Sequence, residues 1–152
     1  MKVVVYNFEN NLKEAFIQMN LKWISEMFKV EEEDKRVLST IDDSVKNGAK
    51  IYFTIENNIP VSCLMLYKID NDTYELCKFA STKEVKGAGG MVLDYALKDA
   101  ESFAKRIFIA TNTKCEAAIH LYEKYGFKVF NSNNTYGFSS DRVNICYEKY
   151  LN

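Results

Sequence analysis

The run Lys86-Gly87-Ala88-Gly89-Gly90 lies between an apolar strand pattern that ends near Ala80 and a helical pattern of apolar residues that includes Leu93 and Leu97. Glycine allows positive φ and a close approach to the backbone. The first turn of a helix has unpaired N–H groups and a partial positive charge, so a glycine turn that opens a helix suits a pyrophosphate. The glycines taken alone fit equally well with a tight loop that only turns the chain. The run is neither a Walker loop nor a full G-x-G-x-x-G pattern.

The patterns on either side of this run indicate a mixed α/β chain. Upstream, a strand and amphipathic helices precede three strands that are separated by turn sequences, which is typical of an antiparallel meander. Downstream, a helix, a buried strand and a second helix form a βαβ-like unit, and a hairpin follows. The predicted strands are 3–8, 51–55, 60–69, 74–80, 107–110, 127–130 and 142–150; the predicted helices are 11–28, a shorter one through Leu38, a turn at 42–47, one spaced from Leu93 to Ala104, and one from a capping box at Thr113 and Glu116 to a cap at Gly126.

The composition fits one domain, residues 1–152, with its own core. Hydrophobic residues make up 47% of the chain, which is enough to fold without disulfides or metals, and the net charge of −1 gives no field that attracts nucleic acid or an anionic membrane. The four cysteines form no C-x-x-C pair, and we find no signal-peptide pattern and no membrane-spanning apolar run. We therefore expect free thiols in a reducing cytoplasm, no metal, and neither nucleic acid nor membrane as a partner.

A second motif, residues 112–127, reads N-T-K-C-E-A-A-I-H-L-Y-E-K-Y-G-F. Its segment Leu121-Tyr122-Glu123-Lys124, followed by Gly126-Phe127, resembles the late helix of the GNAT superfamily of acyl-CoA-dependent N-acetyltransferases. The glycine run and the preceding strand, Glu75 to Ala80, resemble the family's cofactor loop and the strand before it, and the N-terminal part resembles a small bacterial subgroup. The resemblance extends over almost the whole chain. The two motifs at this separation are far more specific together than either is alone.

The resemblance implies the GNAT fold, which is a mixed, mostly antiparallel central sheet with one splayed strand pair, flanked by helices. It also implies an acyltransferase that moves an acetyl group from acetyl-CoA, its co-substrate, to a primary amine by direct attack in a ternary complex. In the family, backbone groups of the strand before the loop bind the pantetheine arm, and N–H groups of the loop bind the phosphates. Carried over residue by residue, the cofactor-binding residues are Phe79, Ala80, Ser81, Val85, Lys86, Gly87, Ala88, Gly89, Gly90, Asn112 and Tyr122.

The loop departs from the family pattern at one position. The family loop is written Gln/Arg-x-x-Gly-x-Gly/Ala, and placing its glycines on Gly87 and Gly89 puts Glu84 at the Gln/Arg position. A carboxylate beside a pyrophosphate is repulsive. Either Glu84 points to solvent, or Lys86 offsets its charge, or the affinity for CoA is reduced. A register shifted by one residue puts Val85 at the Gln/Arg position but spoils the match of the following helix, so we prefer the register that places the family glycines on Gly87 and Gly89.

Acetyl transfer needs a proton acceptor for the amine, because an alkylammonium has a pKa of about 10, and a proton donor for the leaving thiolate. Tyr122 matches the family tyrosine that acts as general acid near the CoA sulfur, although its helical spacing alone favours a core aromatic. Because related enzymes often use a carboxylate on this strand, the resemblance makes Glu75 the candidate base, directly or through water; a solvated strand residue is an equally good interpretation. Asn112 either hydrogen-bonds the cofactor or starts the helix. His120 points away from Tyr122 on a helix and is expected at the surface, and Cys115 is expected to be an ordinary thiol.

Two other functions fit part of the same pattern. A GNAT fold can serve as a non-catalytic acyl-CoA-binding sensor or interaction module. The glycine turn could instead bind ATP, but the lysine of a P-loop is missing. We expect acetyl-CoA and an amine-bearing acceptor as partners, with the acceptor unidentified and both a monomer and a homodimer open.

Overall fold

A computed structural model describes residues 1–151 as one sheet with helices on both faces. The order of elements is the predicted one: a strand and three helices, a three-stranded meander, a helix, a strand, a helix and two final strands. The strands are β1 Lys2–Val5, β2 Lys50–Glu56, β3 Ile59–Lys68, β4 Thr73–Ser81, β5 Arg106–Thr111, β6 Lys128–Phe130 and β7 Ile145–Tyr150; the helices are α1 Lys13–Met27, α2 Glu32–Ser39, α3 Ile41–Lys46, α4 Ala88–Ala100 and α5 Glu116–Lys124.

The sheet separates in its middle. The strand order is β1-β2-β3-β4-β5-β7-β6, and each neighbouring pair is antiparallel except β4 and β5, which are parallel. These two strands pair only over their first residues, Thr73–Glu75 with Arg106–Phe108. Beyond that point they diverge, which leaves a wedge between their carboxyl ends. The mixed, mostly antiparallel sheet with a splayed strand pair is confirmed.

Each face of the sheet has its own core, as the two-residue period of strands requires. Tyr74 and Leu76 of β4 pack with α4 and α5 on one face. Cys77 packs on the other face with α1, α2 and α3. Glu75 therefore also belongs to the α1 face, because it lies between Tyr74 and Leu76.

A bulge interrupts β4 just where the strands diverge. Met65 of β3 pairs with Cys77, but Cys63, two residues earlier, pairs with Ala80, so β4 has one extra residue. Lys78 has a φ of +54°, a left-handed conformation that is uncommon for a residue with a side chain. The extra residue ends the alternation of β4 and places Lys78 on the wall of the wedge.

Two details of the predicted elements are confirmed and two are wrong. Asn57 and Asn58 both have positive φ, as a tight hairpin turn requires, and Gly126 follows α5 with a φ of +90°. The capping box predicted from Thr113 is absent, because α5 begins at Glu116 with Cys115 as its N-cap residue. The helix predicted to reach Ala104 ends at Ala100. Within the described residues no helix combines the length and apolar character needed to cross a membrane.

Candidate functional site

The diverging strands enclose a cavity of about 90 Å³, which we call the wedge cavity. This is well above the roughly 10–15 Å³ that one water molecule needs. Strands β4 and β5 form its sides, α5 lies on one face of the sheet and α1 on the other. The lining includes Asn20, Trp23 and Phe28 from α1 and the residue after it, residues 75–79 and 109–112, Cys115, Tyr122, Phe138 and Arg142.

The Glu75 carboxylate enters this cavity without a protein partner. It is half-buried and accepts no hydrogen bond from residues 1–151. Burial raises the pKa of Glu75 to about 7; Lys78 lowers it and Glu33 raises it further, by smaller amounts. A carboxylate that titrates near neutral pH is suited to exchange a proton with a bound group.

The ring of Tyr122 closes the cavity from the α5 side. Tyr122 is 4% exposed and packs between Phe79 and Phe127, with ring centroids 6.1 and 5.9 Å away. Its hydroxyl makes no hydrogen bond to any group in the described part of the chain. Burial raises the pKa of Tyr122 above its usual range, so the phenol stays protonated at neutral pH. A carboxyl group with a pKa of about 7 and a protonated phenol therefore border the same cavity.

The glycine run has the geometry of an anion-binding turn. Gly87 has a φ of +83° and is the N-cap residue of α4. Within residues 1–151, none of the backbone N–H groups of residues 85–90 donates a hydrogen bond; the first bonded one is that of Met91, to the Gly87 carbonyl. Glu84 is exposed, which agrees with the solvent-facing alternative for this residue.

Two buried hydroxyl groups fix the start of α4 against the sheet. Thr54 Oγ1 donates to the carbonyl of Ala88 at 2.9 Å, and Ser62 Oγ, which also lies 2.9 Å from that carbonyl, donates to Thr54 Oγ1 at 2.7 Å. These contacts orient the unpaired N–H groups relative to the wedge.

Gly89 lies against β4. A Cβ atom at Gly89 would come 3.3 Å from Phe79 Cζ and 3.6 Å from Ser81 Cβ, so even one added carbon would require the Phe79 ring to shift by a few tenths of an ångström. Gly90 is less confined, since its Cβ would meet Leu121 at an ordinary 3.8 Å. Gly89 thus brings the anion-binding turn against the edge of β4.

The other predicted cofactor residues are divided between two places. Asn112 lines the wedge cavity, but its Nδ2 donates to the Asp141 carbonyl at 3.0 Å and its Oδ1 accepts from the Lys114 N–H at 2.9 Å. Asn112 therefore fixes the chain before α5. Ala80 and Ser81 line a separate groove of about 420 Å³ between α1 and the end of β4.

Sequence reasoning missed an ionic cluster in the wall of the wedge cavity. The carboxylate of Asp34, which is 0% exposed, accepts from Lys78 Nζ at 2.9 Å and from Arg142 Nη2 at 2.6 Å. Arg142 also donates to Glu31 Oε2 at 3.2 Å. The partners come from α2, β4 and the segment before β7, so no local pattern predicts them.

The remaining nucleophilic and metal-binding side chains contribute little chemistry here. Burial raises the pKa values of Cys77 and Cys115, so these cavity thiols stay protonated and are weak nucleophiles. His120 is exposed, as predicted. No group of three or more potential metal ligands occurs among residues 1–151.

Comparisons with known proteins agree with this architecture. The profile of the Acetyltransferase (GNAT) family matches residues 17–127. A GNAT acetyltransferase from Staphylococcus aureus Mu50 superposes with a TM-score of 0.82 at 20% identity, over 99% of this chain and 100% of that one. An acetyltransferase from Streptococcus agalactiae 2603 superposes with a TM-score of 0.79 at 21% identity, over 98% of each chain. A GNAT acetyltransferase from Elizabethkingia anophelis, solved with acetyl-CoA bound, superposes with a TM-score of 0.68 at 19% identity, over 99% of this chain and 97% of that one. Among curated proteins, no sequence matches significantly.

The fold is the GNAT fold: a mixed, mostly antiparallel sheet with helices on both faces, one splayed parallel strand pair and a cavity between those two strands. The family profile covers well over half of the chain, and this chain belongs to the GNAT acetyltransferase family.

Proposed function

We propose that this protein is an N-acetyltransferase that moves an acetyl group from acetyl-CoA to a primary amine within a ternary complex. The observation that carries the proposal is the pairing of Glu75, whose pKa is about 7, with the protonated hydroxyl of Tyr122 at one cavity. Acetyl transfer to an amine needs one acceptor and one donor of protons.

The arrangement of unpaired backbone groups supports acetyl-CoA as the donor. The free N–H groups of residues 85–90 are suited to the pyrophosphate, and the edge of β4 at Phe79–Ser81 is suited to the pantetheine arm. The relative from Elizabethkingia anophelis was solved with acetyl-CoA bound. The exposed position of Glu84 keeps its charge in water, where repulsion of a pyrophosphate is weak.

The proposed reaction uses both side chains once per turnover. The amine reacts in its neutral form: its nitrogen lone pair forms a bond to the thioester carbonyl carbon, and Glu75 accepts the proton that the nitrogen releases as this bond forms. The carbon–sulfur bond then breaks, and Tyr122 donates its proton to the departing sulfur. The products are an acetamide and CoA, and solvent returns the two residues to their starting protonation states.

A groove beside the wedge cavity supports a route for the acceptor. The groove has a volume of about 590 Å³ and lies between residues 28–33 and the segment 137–142, which Phe28 and Arg142 connect to the cavity. We propose that the acceptor enters here, on the α1 face, opposite α4.

The direct test measures thiol release from acetyl-CoA with a panel of primary amines. Amine-dependent release is expected, with the acetylated amine as the second product. Tight CoA binding without turnover on any amine would instead favour a non-catalytic acyl-CoA-binding module. Incubation with radiolabelled acetyl-CoA and no acceptor examines the direct step, and a covalent acetyl-cysteine that forms and turns over would contradict it.

We also propose that the chain is a single domain that works in a reducing cytoplasm. All four cysteines are unpaired in the structure, and three of them are buried. Separation by size of the purified protein, without reductant and with it, distinguishes a monomer from a homodimer.

A further inference from the structure

One buried polar side chain of α1 faces the wedge cavity with an unused acceptor. Asn20 is only 1% exposed, and it lines the wedge cavity. Its Nδ2 donates to the Phe16 carbonyl at 3.0 Å and lies 3.5 Å from Cys63 Sγ. Since a carbonyl oxygen can only accept, this contact fixes which end of the amide is nitrogen.

The other end of that amide, Asn20 Oδ1, accepts no hydrogen bond from residues 1–151. This oxygen is also accessible to a small bound group. Among the described residues, Asn10 Oδ1 is the single side-chain oxygen or nitrogen that is both fully buried and without a hydrogen-bond partner, so Asn20 Oδ1, which has no partner, is not fully buried. A buried amide oxygen without a partner is costly unless a bound group donates to it. The oxygen is therefore a preformed acceptor on the α1 wall of the cavity.

Two unused acceptors thus border the same small cavity from the α1 face. One is Asn20 Oδ1 and the other is the Glu75 carboxylate, which also lacks a partner. The cationic side chains that line the cavity, Lys78 and Arg142, already donate to Asp34. A ligand that satisfies the site must therefore bring at least two N–H or O–H donors.

We propose that Asn20 Oδ1 and the Glu75 carboxylate together bind the acceptor nitrogen through its two N–H groups, so that the wedge cavity selects primary amines over secondary ones. This inference rests on the proposed N-acetyltransferase function. Asn20 Oδ1 accepts a hydrogen bond from one N–H of the amine, and the Glu75 carboxylate accepts a hydrogen bond from the other, whose proton it takes. The nitrogen lone pair is left free to attack the thioester carbon. A secondary amine lacks one donor and leaves Asn20 Oδ1 unpaired.

The test compares a primary amine from the panel with its N-methyl derivative, whose basicity is similar. Wild-type protein is expected to prefer the primary amine by about 10-fold or more in kcat/KM, since one hydrogen bond corresponds to roughly a factor of ten. Asn20→Leu keeps the side-chain size but removes the acceptor, so the preference should fall to near unity while the KM for acetyl-CoA stays within about two-fold. Asn20→Asp keeps an acceptor oxygen and should retain most of the preference.

The controls separate binding from structure. Cys63→Ala removes the sulfur neighbour of Asn20 without removing Oδ1, and it should leave the preference unchanged even if it lowers Tm. An unchanged preference in Asn20→Leu, or a parallel rise in the KM for acetyl-CoA, overturns the inference while leaving the proposed function intact.

A second measurement requires no turnover. The side-chain amide resonances of Asn20 in ¹⁵N-labelled wild-type protein with CoA are followed during titration with ethylamine and, separately, trimethylamine. Shifts with ethylamine alone are expected, and saturating ethylamine without any shift overturns the inference. Absence of turnover on the whole amine panel would contradict the proposed function instead, so the two failures are distinguishable.

Discussion

In the proposed reaction, Glu75 is a side chain whose role in activity lowers the stability of the fold. Its carboxylate is half-buried without a hydrogen-bonding partner, and burial raises its pKa to about 7 from an ordinary value of 4.5. A group whose pKa is raised by folding stabilises the folded state below its unfolded pKa and loses that contribution as the pH rises through the folded value. The ionised form at pH 8 therefore costs on the order of 3 kcal/mol, at roughly 1.4 kcal/mol per pKa unit.

Glu75→Gln is expected to lower kcat by about 10²–10⁴-fold, because the proton acceptor is lost. The same variant should raise Tm at pH 8, where the wild-type side chain is charged, and much less at pH 5, where it is already protonated. Thermal unfolding at both pH values and steady-state kinetics measure the two effects. Glu9→Gln, an exposed change outside the cavity lining, serves as the matched control, and a Glu75→Gln enzyme with full activity would exclude Glu75 as the base.

The pH profile gives an independent prediction at the same residue. For the free enzyme, kcat/KM should rise with pH through an apparent pKa of about 7, because only the carboxylate form of Glu75 accepts a proton. Lys78 lowers the pKa of Glu75, so Lys78→Met should move this limb to higher pH. A kcat/KM profile that is flat between pH 5.5 and 8.5 would contradict both the role of Glu75 as base and the effect of Lys78 on its pKa.

For Tyr122, the sequence could not distinguish a general acid near the CoA sulfur from an aromatic residue of the core. The structure makes it both a packed aromatic and a cavity-lining phenol, since its ring contacts Phe79 while it borders the wedge cavity. Tyr122→Phe keeps the packing and removes the proton donor, so kcat should fall by about 10²–10⁴-fold while the Kd for acetyl-CoA changes little. Tyr147→Phe is the control, because Tyr147 is equally buried and packs against Tyr122 but lies outside the cavity lining. Equal effects of the two changes would assign Tyr122 to packing.

At the level of elements, the start of α4 is defined by close packing as much as by its unpaired N–H groups. We expect Gly89→Val to abolish measurable CoA binding, because its side chain would push Phe79 and Ser81 away from the turn. Gly90→Ala is the control: it adds a methyl group at the neighbouring position, which makes only an ordinary van der Waals contact with Leu121, and it should keep the wild-type affinity for CoA. Calorimetry with CoA, alongside Tm, measures both. Retained affinity in a folded Gly89→Val protein would refute the loop assignment.

The elements themselves could largely be predicted from sequence, because their signals are local. The paired positive φ values of Asn57 and Asn58 are what a tight turn between two strands demands, and the residue types alone indicate them. The bulge at Lys78 could not be predicted, because lysine has no preference for positive φ and only pairing with β3 imposes it. The Thr113 box failed because the Asn112 and Asn144 side chains bond the N–H groups of Lys114 and Thr113 instead.

At the scale of the whole molecule, the site depends on residues that are far apart in sequence. Asp34 and Arg142 are separated by 108 positions, yet they meet in the wall of the wedge cavity, where Lys78 joins them. Sequence patterns predict Glu75, Tyr122 and the glycine run as site residues, since each lies within a motif, and their roles stay predictions. The ionic cluster and the Asn20 acceptor arise only from packing α1 and α2 on the sheet, which a single sequence does not reveal.

The ionic cluster connects three parts of the chain that border the site. Burial alone would raise the pKa of Asp34, but the Glu31 N–H, Lys78 and Arg142 together lower it below its ordinary value of 3.8. A carboxylate with a lowered pKa stabilises the fold above its unfolded pKa and loses this contribution as the pH falls through the folded value. The cluster therefore contributes fully at neutral pH and is lost only in acid below about pH 4.

Asp34→Asn should cost about 3–5 kcal/mol of unfolding free energy at pH 7, because two buried cations lose their shared carboxylate. Urea unfolding at pH 7 measures the change. Asp94→Asn is the matched control, since Asp94 pairs with Lys98 at 2.9 Å on the exposed face of α4, where such a pair contributes about 0.3–0.5 kcal/mol. The difference between the two variants should shrink as the pH falls below 3.8 toward the lowered pKa of Asp34, where the wild-type carboxylate is lost by protonation. A cost for Asp34→Asn no larger than that for Asp94→Asn would mean that the cluster is solvated and does not connect α2 to β4.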